Sequence, residues 1–236
     1  MMINHKLTKS KIVNKVFNDV YNKYDLMNDI MSLGTHRLWK RTLVSWINPR
    51  PNNKVLDVAA GTGDIAKICS KYTNNKCHIT CVEPNQKMLG VGKKKLFDYN
   101  NIKWILSPAE KLPFKDNTFD FYVISFGIRN VSDIDKSLSE AYRVLKNGGR
   151  FFCLEFSKVE NEVFNQLYKN YSKLIPNIGK YIVGDKMPYN YLIESIEKFY
   201  GQDEFSEIIS KNKFSKVIYR NLNNGVASIH SGWKIE

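Results

Sequence analysis

Five short apolar runs rich in Val, Ile and Phe, separated by amphipathic stretches, occupy the chain from about residue 55 to 155. Such an alternation of strand-like and helix-like segments calls for a parallel sheet covered by helices on both faces. The candidate strands are Lys54–Ala59, His78–Val82, Ile102–Leu106, Phe119–Ser125 and Arg150–Glu155, with a last pair near Phe214–Asn221 and Gly225–Trp233. The chain before Pro51 reads as helical. Residues 161–212, rich in Tyr and broken by Pro176, Gly179, Gly184 and Pro188, read as helices that cover the active site. A length of 236 residues with 43% hydrophobic content suits one α/β domain. Residues 1–236 are therefore expected to form a single unit, with an N-terminal helical cap at 1–50 and a helical lid insertion at 161–212.

The net charge of +13 raises the question of anionic partners. The lysines are spread along the whole chain with no RNA-binding signature or arginine-rich tract, so nucleic acid is not expected and weak attraction to an anionic membrane surface is the more useful reading. No stretch approaches the roughly 18 uninterrupted apolar residues of a membrane span, and the N-terminus lacks an apolar signal core. The expected setting is cytoplasmic, with peripheral contact at the inner membrane, on the matrix face if the source is eukaryotic. Cys69, Cys77, Cys81 and Cys153 have no CxxC spacing and no companion histidines, so they read as small core residues, with neither metal nor disulfide.

The first run ends in a turn, Ala59-Ala60-Gly61-Thr62-Gly63-Asp64, that opens a helix over Ile65 to Lys71. A backbone that approaches a nucleotide closely needs residues without bulk at that point. Glu83 closes the next apolar run about 26 residues after Asp57, near the spacing at which an acid accepts both ribose hydroxyls. The three-glycine phosphate fingerprint is absent, since Ala59 stands where the first glycine would fall, and Asp64 is unwelcome beside a pyrophosphate. S-adenosylmethionine has no phosphate and carries a sulfonium, an amine and a carboxylate, so it is compatible with an acidic turn. The loop Ser107-Pro108-Ala109-Glu110-Lys111-Leu112-Pro113-Phe114 resembles the adenine-contacting segment of class I methyltransferases, with Pro108 where an acid or amide is usual; proline offers neither a side-chain contact nor an N–H there.

With Tyr24-Asp25-Leu26-Met27-Asn28-Asp29 and Met31-Ser32-Leu33-Gly34-Thr35-His36-Arg37-Leu38-Trp39-Lys40, the chain resembles the UbiE family of ubiquinone/menaquinone-biosynthesis C-methyltransferases. The resemblance continues through Ser125-Phe126-Gly127-Ile128-Arg129-Asn130-Val131, through Tyr142 to Lys146 with Gly148-Gly149, and through Leu154-Glu155-Phe156-Ser157-Lys158. Two departures are local: Asn147 replaces a common proline, and Lys186-Met187-Pro188 replaces a more acidic run.

The resemblance implies a class I, Rossmann-like fold with a seven-stranded, mostly parallel sheet, and a methyl transfer from S-adenosylmethionine to a ring carbon of a polyprenylated quinol. It implies cofactor contacts at Asp57, Ala59, Gly61, Thr62, Gly63, Glu83, Pro84, Ala109, Glu110 and Ser125. It implies substrate contacts at Tyr24, Asn28, Tyr189 and Tyr191, and catalytic roles for Arg129, Asn130 and His36. Arg129 would stabilise a developing phenolate or orient a water, its plainer alternative being a salt bridge to an acid such as Asp133; His36 would accept a proton. Partners beyond the quinol stay open between a homodimer and a quinone-biosynthetic complex. Rival readings are a methyltransferase of another small molecule and a non-catalytic lipid-binding subunit of such a complex.

Overall fold

The computed structural model describes residues 24–159 and 187–235, together with residues 13, 15, 16, 18, 21, 162, 166 and 171. Seven strands form one sheet: β1 (Lys54–Val58), β2 (His78–Glu83), β3 (Ile102–Leu106), β4 (Phe119–Ser125), β5 (Leu145–Phe156), β6 (Ser215–Leu222) and β7 (Ala227–Trp233). Their order across the sheet is β3-β2-β1-β4-β5-β7-β6. The pairs from β3 to β5 are parallel, while β7 runs antiparallel to both β5 and β6.

The described helices are α1 (Tyr24–Ser32), α2 (His36–Ile47), α3 (Asp64–Tyr72), α4 (Gln86–Lys95), α5 (Ile134–Val144), α6 (Met187–Glu197) and α7 (Gln202–Lys211). Because side chains alternate along a strand, the central strands feed two separate cores. Val55, Val123 and Phe152 face a core completed by Met27 and Met31 of α1, Leu43 and Val44 of α2, and Ile65 and Cys69 of α3. Leu56, Ile124, Phe151 and Cys153 face another, completed by Leu138 and Ala141 of α5 and Phe205 and Ile209 of α7. All four cysteines are buried free thiols. No described helix is long and apolar enough to cross a membrane.

Several boundaries differ from the sequence reading. β1 stops at Val58, because Ala59 takes a left-handed φ of +51° and starts the turn. β2 runs one residue further, so that Glu83 belongs to the strand end itself. β5 begins at Leu145, which pairs with Phe119 across an irregularity in the register. Of the segment expected to be a lid, α7 covers the sheet instead: Phe205 and Ile209 pack with Phe151 and Phe214 on the face away from α2. Helical periodicity shows an apolar face without showing what it packs against. Tyr168, Tyr181 and most of 160–186 lie outside the described residues.

Helix α2 is packed into the fold. Trp39 of α2 packs its ring 6.3 Å from that of Phe126 and 6.0 Å from that of Phe156, and its indole N–H donates to Asn223 Oδ1 at 2.9 Å. In an open sheet of this kind ligands bind beyond the carboxyl ends of the strands, where the order reverses. Here that point lies between β1 and β4, and α2 stands over it.

Candidate active site

The turn after β1 is held open by backbone geometry. Gly61 and Gly63 have φ of +59° and +83°, a region that side-chain-bearing residues rarely adopt, and a Cβ on Gly63 would lie 2.6 Å from Leu96 Cδ1. Ala59 is left-handed without that freedom, at a cost of about 1–2 kcal/mol. Across the gap, Phe126 is also left-handed at +56°, and a Cβ on Gly127 would come within 2.6 Å of Ala59 Cβ. The tips of β1 and β4 therefore meet in the closest contact that Gly127 permits.

Three acids gather behind this turn. Glu83 is buried, and its carboxylate accepts from Gly61 N at 2.8 Å and from Asn85 N at 2.9 Å. Burial outweighs these bonds and pushes the Glu83 carboxyl up to about 7. Asp57 is likewise driven to about 7 by burial, against a bond from Ala66 N at 3.2 Å and the nearby charge of Lys40. Burial also works to raise Asp64, but the ammoniums of Lys40 and Lys95, each 2.8 Å away, outweigh it and hold that carboxyl far below the usual range. Asp64 also sits in the first turn of α3, where the helix dipole favours an anion.

Two connected hollows open from these groups. The larger, about 740 Å³, is mostly apolar; Ala59, Pro84, Met88, Pro108, Ala109, Phe126, Gly127 and Val131 form its walls, with Glu83, Asn85, Glu110 and Asn130 at its polar points. The smaller, about 320 Å³, is charged and lined by Lys40, Asp57, Thr62, Asp64 and Ser125. Ala59, Gly61 and Phe126 border both. Ser125 Oγ is buried in the smaller hollow and finds no hydrogen-bond partner among the described residues. The carboxylate of Glu110 is turned to the backbone, accepting from Ser132 N at 2.6 Å and Asp133 N at 3.3 Å, which ties the loop after β3 to the segment after β4.

That segment contains a 3-10 turn, Ile128–Asn130, and a buried ion pair. Arg129 bonds Glu155 of β5 through a short charge-assisted contact, donates to Phe126 O at 3.0 Å and to Ser195 Oγ of α6 at 3.3 Å, and lies over the Phe156 ring. Its salt-bridge partner is thus Glu155 and not Asp133, whose side chain caps α5 by accepting from Lys136 N. The parallel pairing of Ser125 with Leu154 sets Glu155 beside the turn. Asn130 faces the larger hollow, and its Oδ1 accepts from the Tyr191 hydroxyl at 3.0 Å.

The sequence-predicted cofactor residues Asp57, Ala59, Gly61, Thr62, Glu83, Pro84, Ala109, Glu110 and Ser125 all line one hollow or the other, and Gly63 sits directly behind them. Asn130 and Tyr191 come together at the rim. Arg129, Asn28, His36 and Tyr189 are buried and line neither hollow. His36 Nε2 lies 2.8 Å from Asp29 Oδ1, and burial, together with Lys40, lowers the imidazole against the opposing pull of Asp29. Its Nδ1, the Asn28 amide nitrogen and the Tyr189 hydroxyl have no partner among the described residues. The side chain of Tyr24 lies outside the described set. Sequence reasoning missed Lys40, Asn85, Phe126 and Glu155; of these only Asn85 carried a local signal, an Asn at the start of a helix, where it accepts from Lys87 N and Met88 N.

Comparison with known proteins agrees with this geometry. Among solved structures, a S-adenosylmethionine-dependent methyltransferase of Thermotoga maritima, described as a possible histamine N-methyltransferase, superposes with a TM-score of 0.67 at 18% identity, over 94% of this chain and 99% of that one. A phosphoethanolamine N-methyltransferase of Haemonchus contortus in complex with S-adenosyl-L-methionine gives 0.63 at 14%, over 84% and 52%. These likenesses establish the class I, Rossmann-like fold. Closer in sequence is the ubiquinone/menaquinone biosynthesis C-methyltransferase UbiE of Brucella suis biovar 1, 52% identical over 235 residues, 96% of this chain and 87% of its own length. Its counterpart in Brucella anthropi is 50% identical over 233 residues, 96% and 89% of the two chains. The family model for the ubiE/COQ5 methyltransferases matches residues 4–234, and the chain belongs to that family.

Proposed function

We propose that the chain methylates a ring carbon of a polyprenylated quinol, with S-adenosylmethionine as donor, in ubiquinone or menaquinone biosynthesis. The observation that carries the cofactor assignment is the pairing of an apolar hollow, with Glu83 at its edge and the Glu110 carboxylate turned to backbone amides, with a charged hollow behind it. The unpartnered Ser125 Oγ in the charged hollow is a polar group that a zwitterionic ligand end satisfies. When bound, the cofactor supplies an electrophilic methyl on a sulfonium.

The chain's own residues do the remaining work. Glu83 uses two of its four lone-pair positions on Gly61 N and Asn85 N, and the other two face the hollow for a ribose diol. Met88, Ala109 and Val131 sandwich the adenine, and backbone groups beside Pro108 serve its edge. An aromatic carbon attacks a methyl only when the ring is electron rich, so the quinol is held reduced and its hydroxyl is polarised. Asn130, braced by Tyr191, orients that hydroxyl at the rim. Arg129 is a positioning residue: its bonds to Glu155, Phe126 and Ser195 fix the turn that carries Asn130. His36 keeps a proton on Nε2 toward Asp29, which leaves Nδ1 as the acceptor lone pair. Much of the rate comes from alignment of two carbons in one line.

The test is a methyl-transfer assay on reduced demethylmenaquinol and on 2-methoxy-6-polyprenyl-1,4-benzoquinol, read by mass spectrometry. A new methyl on a ring carbon of either quinol is the expected product. Cofactor binding with no transfer to either contradicts the acceptor assignment.

A further inference from the structure

Lys40 belongs to the cap helix, yet its side chain is buried in the charged hollow with Asp57, Asp64 and Ser125. Its Nζ uses one of three N–H donors on Asp64 Oδ2 at 2.8 Å. Asp64 does not depend on it alone, because Lys95 bonds the other oxygen at 2.8 Å and also reaches Thr62 Oγ1. Two ammoniums thus meet one carboxylate, which leaves positive charge on the Lys40 side of the hollow. Asp57 stands on the opposite account, a buried carboxyl with one backbone bond and an oxygen to spare. A buried lysine is screened little by solvent and is costly unless its charge is matched.

We propose, resting on the cofactor assignment above, that Lys40 receives the α-carboxylate of the cofactor's amino-acid end while Asp57 faces its ammonium, so that the cap helix is a working part of the cofactor site. A cation on one wall and an acid on another match the two charges of an α-amino acid, and Ser125 Oγ supplies a donor between them. Lys40 is then coupled to the cofactor's amino-acid end and indifferent to its nucleoside. A purely structural Lys40, one that only bolts α2 to Asp64, makes no such distinction.

That difference sets the experiment. S-adenosylhomocysteine and 5′-methylthioadenosine share the adenosine and the thioether, but only the former has the amino-acid end. Calorimetric titration of the full chain with each gives a ratio of affinities. In Lys40→Met, S-adenosylhomocysteine weakens about 10- to 150-fold, the scale of a charge-assisted hydrogen bond, and 5′-methylthioadenosine stays within about twofold. If Lys40→Met does not fold, Lys40→Gln, whose amide still donates to Asp64, reads the same ratio. Equal weakening of both ligands, or none, with a wild-type chain that prefers S-adenosylhomocysteine, overturns the role of Lys40 and leaves the cofactor assignment standing. A wild-type chain that binds neither ligand overturns both.

Discussion

Replacing Glu83 by glutamine exchanges one carboxylate oxygen for an NH₂ while keeping volume and shape. In the wild-type chain the two oxygens accept from Gly61 N at 2.8 Å and Asn85 N at 2.9 Å, both buried. Whichever way the amide is turned, its NH₂ points at one of these N–H groups, and an unsatisfied buried donor costs about 1–3 kcal/mol. For a chain of this length a loss of 1 kcal/mol lowers the melting temperature by about 2–4 °C, so a fall of about 2–12 °C is expected. The same change removes one acceptor from the ribose diol and the charge from the other. Loss of one charge-assisted hydrogen bond, about 1.5–3 kcal/mol, weakens S-adenosylhomocysteine about 10- to 150-fold. Differential scanning calorimetry gives the first quantity and isothermal titration the second. A Glu83→Gln chain that melts lower but binds within about twofold of wild type refutes the diol assignment; one that binds weakly with unchanged melting refutes the bracing of Gly61 and Asn85.

Other perturbations separate the remaining roles. Arg129→Lys keeps the pair with Glu155 but loses the fork to Phe126 O and Ser195, so kcat falls about 10- to 100-fold with S-adenosylhomocysteine affinity within about twofold; Arg129→Ala strands a buried carboxylate and costs about 3–5 kcal/mol in thermal unfolding. Gly127→Ala places a Cβ 2.6 Å from Ala59 Cβ, overpacking the β1–β4 tips by about 1–3 kcal/mol, and lowers both melting temperature and cofactor affinity. Glu83 and Asp57 hold their protons to about 7 in the folded chain, against the ordinary 4.5 and 3.8 of a solvated glutamate and aspartate. The folded state therefore binds more protons than the unfolded one in that window, and these groups reduce stability as pH rises through it. Melting curves from pH 4.5 to 8 should show a steeper decline in wild type than in Glu83→Gln; parallel curves contradict the buried-carboxyl reading. Binding that uses the ionised Glu83 strengthens as pH rises from 6 to 8, and titrations in buffers of different ionisation enthalpy report the released protons.

The sheet and the cofactor turn were legible because their causes are local. Apolar runs of strand length, a glycine turn and an acid closing the second run each follow from a few consecutive residues. Arg129 was legible as a residue near the strand end, but its partner was not. Glu155 lies beside it only because β4 pairs with β5 in the register of Ser125 and Leu154, which no local pattern records. Lys40 was hidden for the same reason: in sequence it is one cation on an amphipathic helix, and only the packing of α2 over the turn turns it inward. The helix at Gln202–Lys211 had the periodicity expected of it, and its apolar face went to the sheet because Phe151 and Phe214 stand there to meet it.

A crystal structure of the chain with S-adenosylhomocysteine locates each part of the ligand independently of turnover and so tests the division of the site into a nucleoside hollow and an amino-acid hollow. The ribose hydroxyls are expected within hydrogen-bond distance of the Glu83 carboxylate, the adenine between Met88, Ala109 and Val131, and the amino-acid end beside Asp57, Lys40 and Ser125. A ligand bound elsewhere, or with its amino-acid end turned out of the charged hollow, contradicts that division.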